Sequence, residues 1–449
     1  NLRNDMMRRT TLALACLAAV AASGFACAED LMDVYRTAQE NDPTVAAARA
    51  NWEATQERVP QARAGLLPNV TASVSANGNY FGADADSDPH TRVDRSFGLG
   101  GLTVSASQPL YRYANTVAYS EAVQQVRQAD YTLASAKQDL ILRVAQAYFD
   151  VLLAQFTIEL AESQKAAVSE QLAQAKRNFE VGVATITDTN EAQAKYDAIV
   201  AQEIGARNDL ENKRTALRAI IGRAPGELKP LGPGFEPTVP SPDSPDAWVE
   251  RALGDNLNVR IAQYNADIAT LEIERQRAGK LPTVDLVASV NAQAFNATVN
   301  SPFGGNQRQA TIGVAINMPL YQGGFVESKV REAYALQDAA RYNLEVARRN
   351  ALFAAQTGYS GVTSAAASVK AFEQALVSAQ TAYESNKTGQ EVGVRTNLDV
   401  LNTQQNVFQA RHDLAQAYFN YLLGVLRLKS AVGALDTQAL EDVNRRLRG

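Results

Sequence analysis

The sequence predicts an α+β membrane protein: a tandem-duplicated protomer whose four strands contribute to a β-barrel shared between chains, joined to long coiled-coil helices. Three observations predict this fold. One residue pattern occurs twice along the 449 residues, each copy contains two segments of alternating apolar and polar residues, and the first copy contains a very long segment without proline or glycine.

The N-terminus has the three parts of a secretory leader. Two arginines at 8–9 precede an apolar stretch at 12–25, and small residues lead to Ala28 before an acidic pair. We expect cleavage after Ala28, so that residues 1–28 are the leader. The alternatives are an uncleaved membrane helix and a lipoprotein acylated at Cys27; the short apolar run and the residues before Cys27 favour cleavage.

Composition excludes several classes of protein. The chain is 46 % hydrophobic and 20 % charged, which indicates a folded protein. Cys16 and Cys27 are the only cysteines, and both precede the expected cleavage site, so thiol chemistry plays no part in the mature chain. The net charge is −5 without basic clusters, which argues against nucleic-acid binding. No later stretch approaches the roughly 18 apolar residues of a spanning helix, so membrane insertion must use strands.

Self-comparison shows that the chain is a tandem duplication. Five residues of the first copy recur at a shift of 214 positions: Val45, Gly65, Leu67, Pro68 and Val70 match Val259, Gly279, Leu281, Pro282 and Val284. Downstream, Pro-Leu-Tyr at 109–111 recurs at 319–321, a shift of 210, and Val-Gly-Val at 181–183 recurs at 392–394, a shift of 211. Between the first two sets of matches only the segment of strands and loop changes length, as a surface loop allows.

The boundaries follow from these matches. Repeat 1 spans 29–222 and repeat 2 spans 246–436. The connector at 223–245 holds seven of the fifteen prolines, a density that prevents both helix and central strand. Residues 437–449 are a C-terminal tail.

Each repeat contains two segments with strand alternation. From Val70 onward apolar side chains fill the even positions and small polar ones fill the odd positions, and the pattern returns from Val284 and from Ala310. Four strands are expected, at about 70–81, 96–108, 283–296 and 308–319. A transmembrane barrel strand has this pattern, and so does a half-buried soluble sheet.

Four strands are too few to close a membrane barrel. Such barrels need about eight or more strands and tolerate no open edge in lipid. Several chains must therefore share one barrel.

The segment from Tyr113 to Phe179 lacks proline and glycine, so a continuous helix there could run roughly 100 Å at 1.5 Å per residue. Compact domains are far narrower. Apolar residues alternate spacings of four and three, as in a coiled-coil seam. The seam comprises Leu140, Val144, Ala147, Val151, Ala154, Ile158 and Ala161, then Val168, Leu172, Ala175 and Phe179, and later Val407, Leu414, Tyr418, Tyr421, Val425 and Leu428.

Several motifs resemble the TolC family over essentially the whole mature chain, 29–435. They are Leu66-Leu67-Pro68, Leu281-Pro282-Thr283, PLYQGG at 319–324, VGVATITD at 181–188 and VGVRTNLDVLN at 392–402. The resemblance implies a homotrimer with a twelve-stranded barrel in outer-membrane lipid, continuous with an α-helical barrel of twelve helices in the periplasm. It implies export of drugs, small toxic compounds or secreted proteins without a cofactor, energised through a periplasmic adaptor by an inner-membrane pump of the RND, ABC or MFS type.

The resemblance also assigns two sites. The turns between the long helices would contact the adaptor through Val181, Gly182, Val183, Val392, Gly393 and Val394. A periplasmic gate would comprise Asp399, Asn402, Asp188, Arg395, Thr187 and Gln390. In the family pattern Asp188 and Arg395 link neighbouring helices with help from Thr187, and Asp399 projects into the entrance. Asn402 stands where the family has a second carboxylate, and Gln390 where it often has tyrosine.

Plainer explanations exist for these residues. Gly182 and Gly393 suit any turn that needs positive φ. Asp399 suits the first turn of a helix that follows Asn397, because the helix dipole favours a carboxylate there.

No enzyme or metal site is indicated. His90 and His412 are the only histidines, neither has a metal-ligand spacing, and no phosphate-binding glycine loop occurs. Two other classes remain to be weighed against a channel. A secreted coiled-coil structural or adhesive protein would not need amphipathic strands, and a periplasmic adaptor would carry lipoyl-like and soluble barrel modules in place of the duplication.

Overall fold

The computed structural model describes residues 28–84, 92–232, 236–296 and 303–447. The predicted leader, apart from Ala28, and the loop around His90 lie outside these residues. The elements of repeat 1 are α1 (Leu31–Asn41), α2 (Pro43–Gln56), α3 (Arg58–Ala64), β1 (Asn69–Asp84), β2 (Arg92–Tyr111), α4 (Tyr113–Glu180) and α5 (Ile186–Ile221). Those that follow are α6 (Pro245–Asp255), α7 (Leu257–Arg277), a 3-10 turn (Ala278–Lys280), β3 (Thr283–Phe295), β4 (Gly305–Asn317), α8 (Phe325–Glu391), α9 (Asn397–Ala431) and α10 (Thr437–Leu447).

The first helix of each repeat breaks at an equivalent buried polar residue. Asp42 separates α1 from α2, because Pro43 cannot continue α1 and the Asp42 carboxylate accepts from the Val45 amide at 2.9 Å. At the matching position Asn256 separates α6 from α7, and its Nδ2 donates to the Ala431 carbonyl at 2.8 Å. The duplication therefore extends to the way these helices end.

Four strands form one antiparallel sheet in the order β1-β2-β3-β4. This confirms the alternation predicted from sequence, with some changes in length: β2 begins at Arg92 and ends at Tyr111, while β4 ends at Asn317, before the expected 319. A β-bulge lies between Pro109 and Tyr111 where β2 pairs with β3. β4 ends at Asn317, which pairs with Thr283, the first residue of β3.

The long helix α4 runs uninterrupted from Tyr113 to Glu180, as predicted. Most of its predicted seam is buried within the protomer, with Ile158 half-buried. Phe179 is 44 % exposed, because it lies in the last turn of α4, which the first turn of α5 does not reach. In α9 the seam prediction was partly wrong. Leu414, Tyr418 and Val425 are half-buried, and the deeply buried residues are instead Phe419, Leu422, Leu423 and Leu426.

One hydropathy expectation also needs correction. An 18-residue stretch within α4 is long and apolar enough to cross a membrane, by length and composition alone. Half of that stretch is buried inside the protomer, as in a core helix. The apolar character is explained by helix packing.

The segment predicted as a C-terminal tail is largely the helix α10, which buries Ala439, Leu440, Val443 and Leu447. Its Asn444 is 3 % exposed, and Oδ1 of Asn444 accepts a hydrogen bond from the Leu31 amide at 3.1 Å. That amide is one of the donors that a helix N-terminus leaves without an intrahelical partner. The C-terminal helix thus holds the first turn of α1.

Candidate functional site: the helix-hairpin tips

Two glycine-centred turns join the long helices, at 181–185 and 392–396. Gly182 and Gly393 have φ of 76° and 79°, the left-handed region that favours glycine. In the first turn the Val183 amide donates to the Asn178 carbonyl at 2.8 Å, and in the second the Val394 amide donates to the Gly389 carbonyl at 2.9 Å. Both helices therefore end with the same motif, in which the amide of the residue after the glycine donates to the carbonyl five positions earlier.

The valines beside each glycine point into solvent. Val181 and Val183 are 72 % and 74 % exposed, and Val392 and Val394 are 69 % and 74 % exposed. Each tip therefore presents two branched apolar side chains that the described protomer leaves uncovered.

Each second helix begins with the same cap. Thr185 and Thr396 are the N-caps, and in both cases the carboxylate three residues later completes a capping box. Oδ2 of Asp188 accepts from the Thr185 amide at 2.9 Å and from its hydroxyl at 2.8 Å. The cap of α9 is therefore Thr396, not Asn397 as the sequence suggested.

Asp399 repeats this arrangement, with its Oδ2 accepting from the Thr396 amide at 3.0 Å and from its hydroxyl at 2.9 Å. The hydrogen bond from the Thr396 amide, followed by that from its hydroxyl, holds the pKa of Asp399 below its usual range. The carboxylate is consequently ionised at neutral pH. Among the described residues none donates to Oδ1 of Asp188 or of Asp399.

The remaining predicted gate residues surround these caps. Arg395, Thr187 and Asn402 are exposed. Within the described part of the protomer Arg395 lies near Asp399, where its charge contributes to the lowered pKa, and forms no ion pair with Asp188. The structure therefore brings Arg395 towards one carboxylate of the predicted set but not to the partner expected from the family pattern.

Sequence reasoning missed two contacts at the second tip. Gln390 is half-buried, and its Nε2 donates to Oδ1 of Asn397 at 3.3 Å, which braces the end of α8 against the start of α9. Gly389 lies against the Arg395 side chain. Only the paired differences between the two copies, Gly389 for Asn178 and Arg395 for Ala184, could have signalled the second contact.

Behind the tips an apolar cluster anchors α9 to the first hairpin. Leu401 is 3 % exposed and packs with Val168, Leu172, Ala175, Ala192 and Ile199 of α4 and α5. Lys195 adds a hydrogen bond to Oε1 of Gln405 at 3.0 Å. With Leu401 buried, Asp399 and Asn402 on other faces of α9 remain accessible. The residues described contain no cluster of His, Cys, Asp or Glu suited to a metal ion.

An amphipathic sheet with apolar side chains exposed on one face, joined to paired long-helix hairpins, defines an outer-membrane channel protein with a periplasmic helical extension. Comparisons with known proteins agree. The sequence profile described as "Outer membrane efflux protein" matches residues 34–223 and 248–434.

The chain is 35 % identical over 422 residues to outer membrane protein TolC of Vibrio cholerae, which covers 94 % of each protein. It is 34 % identical to the alkaline protease secretion protein AprF of Pseudomonas aeruginosa, with 92 % of this chain and 86 % of AprF covered. The fold superposes on the CmeC outer membrane channel of Campylobacter jejuni with a TM-score of 0.80 at 16 % identity, over 94 % of this chain and 89 % of CmeC. The chain belongs to the outer membrane efflux protein family. It is a transport protein of the outer membrane, not an enzyme.

Proposed function

We propose that three copies of this chain close one twelve-stranded barrel and form a duct that exports drugs, small toxic compounds or secreted proteins. The observation that carries the proposal is the four-stranded sheet, in which β1 and β4 each pair on one side only among the described residues. Apolar side chains on both edge strands are exposed, including Val74 at 81 % and Ile316 at 70 %. Open strand edges are costly in lipid, so further copies must cover them.

The tips are the proposed docking site for a periplasmic adaptor. Val181, Val183, Val392 and Val394 are exposed on turns whose backbone is held by helix-capping hydrogen bonds, so an adaptor would meet a preformed apolar surface. An inner-membrane pump of the RND, ABC or MFS type would provide the energy through that adaptor. The family's description as efflux proteins and the similarity to the alkaline protease secretion protein AprF support both classes of cargo.

The same assembly would be gated at its periplasmic entrance. Oδ2 of Asp188 is occupied by its own cap, while Oδ1 can accept a hydrogen bond from Arg395 of a neighbouring hairpin. Asp399, ionised and half-exposed, would repeat three times around the axis and favour cations. Thr187, Asn402 and Gln390 would complete the entrance, and the Gln390–Asn397 hydrogen bond would stiffen it.

The test is complementation in a Gram-negative host that lacks its own export duct. Expression of the full chain, together with a compatible adaptor and pump, should restore drug resistance or protein secretion. The protein should also extract from the outer membrane as a trimer that persists in mild detergent. A protein that reaches the outer membrane yet remains monomeric, or that restores no export with any of the three pump types, would refute the proposal.

A further inference from the structure

The two hairpins of the sheet share one register under the duplication. Asn69 pairs with Ser107 in the first hairpin, and adding 214 and 210 to these numbers yields Thr283 and Asn317, which pair in the second hairpin. Every further pair of β3 and β4 has its counterpart in β1 and β2 in the same way. The duplication has therefore preserved strand register as well as sequence.

The joint between β2 and β3, where these two strands pair, also indicates how strands of neighbouring copies pair. There the second strand of repeat 1 meets the first strand of repeat 2. In a barrel made from several copies, β4, the second strand of repeat 2, meets β1, the first strand of repeat 1 in the next copy. The joint between copies is thus the counterpart of the joint seen within the protomer.

We propose that β4 pairs antiparallel with β1 of a second copy in the register that the duplication transfers from the β2–β3 joint; this rests on the proposed closure of one barrel by several copies. Leu99 pairs with Phe295 and Pro109 with Asp285, so Gln309 pairs with Phe81 and Pro319 with Thr71 of the second copy. The intervening pairs follow in order.

Side-chain chemistry supports this register independently. It places Met318 opposite Ala72, Ile316 opposite Val74, Val314 opposite Ala76 and Ala310 opposite Tyr80, and it places Asn317 opposite Ser73 and Thr311 opposite Asn79. At these positions apolar residues face apolar ones and polar residues face polar ones, while Ala315 lies opposite Ser75 and Gln309 opposite Phe81. A slip by one residue would set Ile316 opposite a serine and turn one apolar face towards the lumen, so odd slips are excluded.

The position of the β-bulge distinguishes this register from registers that are shifted by two residues. In the protomer Pro109 pairs with Asp285 and Tyr111 with Val284, with Leu110 as the extra residue. The transferred register pairs Tyr321 with Val70 of the second copy and makes Leu320 the extra residue.

Exposure of these residues agrees with the bulge. Leu320 and Tyr321 are 90 % and 88 % exposed in the protomer, whereas their counterparts Leu110 and Tyr111, which lie on a paired strand, are 58 % and 44 % exposed. The segment 318–321, which follows β4, is therefore expected to extend that strand when the second copy is present.

Disulfide cross-linking tests the register directly. No cysteine occurs from residue 28 onward, so introduced cysteines report on their own positions. Directly opposed residues in an antiparallel pair have Cα atoms about 4.5–5.5 Å apart, within disulfide range, while diagonal neighbours lie about 7–8 Å apart, outside it. Within one protomer the two edge strands are separated by three strand spacings of about 4.8 Å, so no intrachain bond can form.

The matched variants are Ile316→Cys with Val74→Cys, and Ala315→Cys with Ser75→Cys. The slipped controls pair Ile316→Cys with Ala72→Cys or Ala76→Cys, and Ala315→Cys with Ser73→Cys or Asn77→Cys. After oxidation in membranes, heat-denatured samples on a non-reducing gel should show the matched pairs as reductant-sensitive dimers and trimers. Their yield should exceed that of the slipped pairs at least fivefold, and each single-cysteine variant should remain monomeric.

A slipped pair that cross-links better than the matched pair would overturn the register, as would absence of any cross-link in a protein that runs as a trimer before heating. A protein that is monomeric before heating would instead refute the shared barrel itself. The two failures are therefore distinguishable on the same samples.

Discussion

A Cβ placed on Gly389 would lie 2.7 Å from Cγ of Arg395, so the arginine side chain passes directly over a residue that has none. Gly389 lies in the last turns of α8 and is not among the glycines with positive φ, so its backbone conformation does not call for glycine. The first repeat has Asn178 at the matching position, opposite Ala184, which has no Cγ. Gly389 is thus explained by the side chain that lies above it.

The effect of Gly389→Ala on thermal stability should depend on which side chain stands at position 395. Alanine in place of helical glycine is worth about 1 kcal/mol, and with Arg395 present that gain is cancelled by the close contact. In an Arg395→Ala background the nearest atoms would be Cβ of residue 395 at 3.4 Å and a Val394 methyl at 3.5 Å, ordinary contacts. Thermal unfolding in detergent should show no gain, or a loss, in the first case and a rise of a few degrees in the second.

Asn178→Ala is the matched control for that experiment, and its effect should not depend on residue 395. Equal gains from Gly389→Ala in both backgrounds would contradict the steric explanation.

Arg395→Ala and Asp188→Ala should each raise single-channel conductance in planar bilayers without separating the trimer. One exposed ion pair contributes only about 0–1 kcal/mol, but threefold symmetry repeats it, so the closed entrance loosens while the barrel and the helical core stay intact. Charge exchange, Asp188→Arg with Arg395→Asp, should restore low conductance. If both single variants keep wild-type conductance, Asp188 and Arg395 do not form the gate.

Asp399→Asn should mainly reduce preference for cations and block by multivalent cations. Because the pKa of Asp399 is lowered in the folded protein, the wild-type preference should persist to a lower pH than an ordinary aspartate would allow. The stability that this capping box contributes is present above the pKa that Asp399 has in the unfolded chain. It is lost as the pH falls through the pKa that Asp399 has in the folded protein. Reversal potentials across a salt gradient measure the preference; Asn402→Ala, at the neutral neighbouring position, is the control.

The exposed valines should matter for export but not for the channel itself. Val181→Ser with Val183→Ser, or Val392→Ser with Val394→Ser, removes apolar surface from one tip and should lower drug export or secretion at least tenfold. Conductance and trimer content should stay unchanged. Val239→Ser, at a half-exposed valine of the connector, is the control. Unaltered export with both tips substituted would show that no adaptor uses this surface.

The ion pair between Asp42 and Arg143 should stabilise the helical part of the protomer. Arg143 contacts both carboxylate oxygens, at 2.9 and 3.1 Å, and the hydrogen bond from its guanidinium lowers the pKa of Asp42. Asp42→Asn keeps the cap on Val45 but loses the charge, and should cost about 1–2 kcal/mol. Arg143→Met leaves a buried carboxylate and should cost about 3 kcal/mol.

The stabilisation by this pair is present above the unfolded pKa of Asp42 and is lost as pH falls through the folded value. Thermal melts at pH 7 and pH 3 should therefore differ more for wild type than for Asp42→Asn. Equal pH dependence would show that the pair contributes nothing. Asn256, the natural amide at the matching position, shows that Asn can occupy this break in a helix.

Much of the fold was predictable because its signals are local. Alternation from Val70 and from Val284 needs only neighbouring residues to reveal a strand, and the proline- and glycine-free segment after Tyr113 reveals a helix in the same way. The repeated Val-Gly-Val turns were predictable because positive φ at Gly182 and Gly393 leaves few other choices. The connector, too, is free of helix over its described part before Pro245, as its proline content predicts.

The sequence by itself thus determined the duplication, the element types and the exposed valines at the tips. The tertiary structure alone decided which side chains meet: Gln390 with Asn397, Arg395 with Gly389, and Asn444 with the Leu31 amide. The physical reason is distance along the chain. Periodicity and turn chemistry act over a few residues. These contacts depend instead on the closing angle of a hairpin, or join residues more than four hundred positions apart, and no local pattern encodes either.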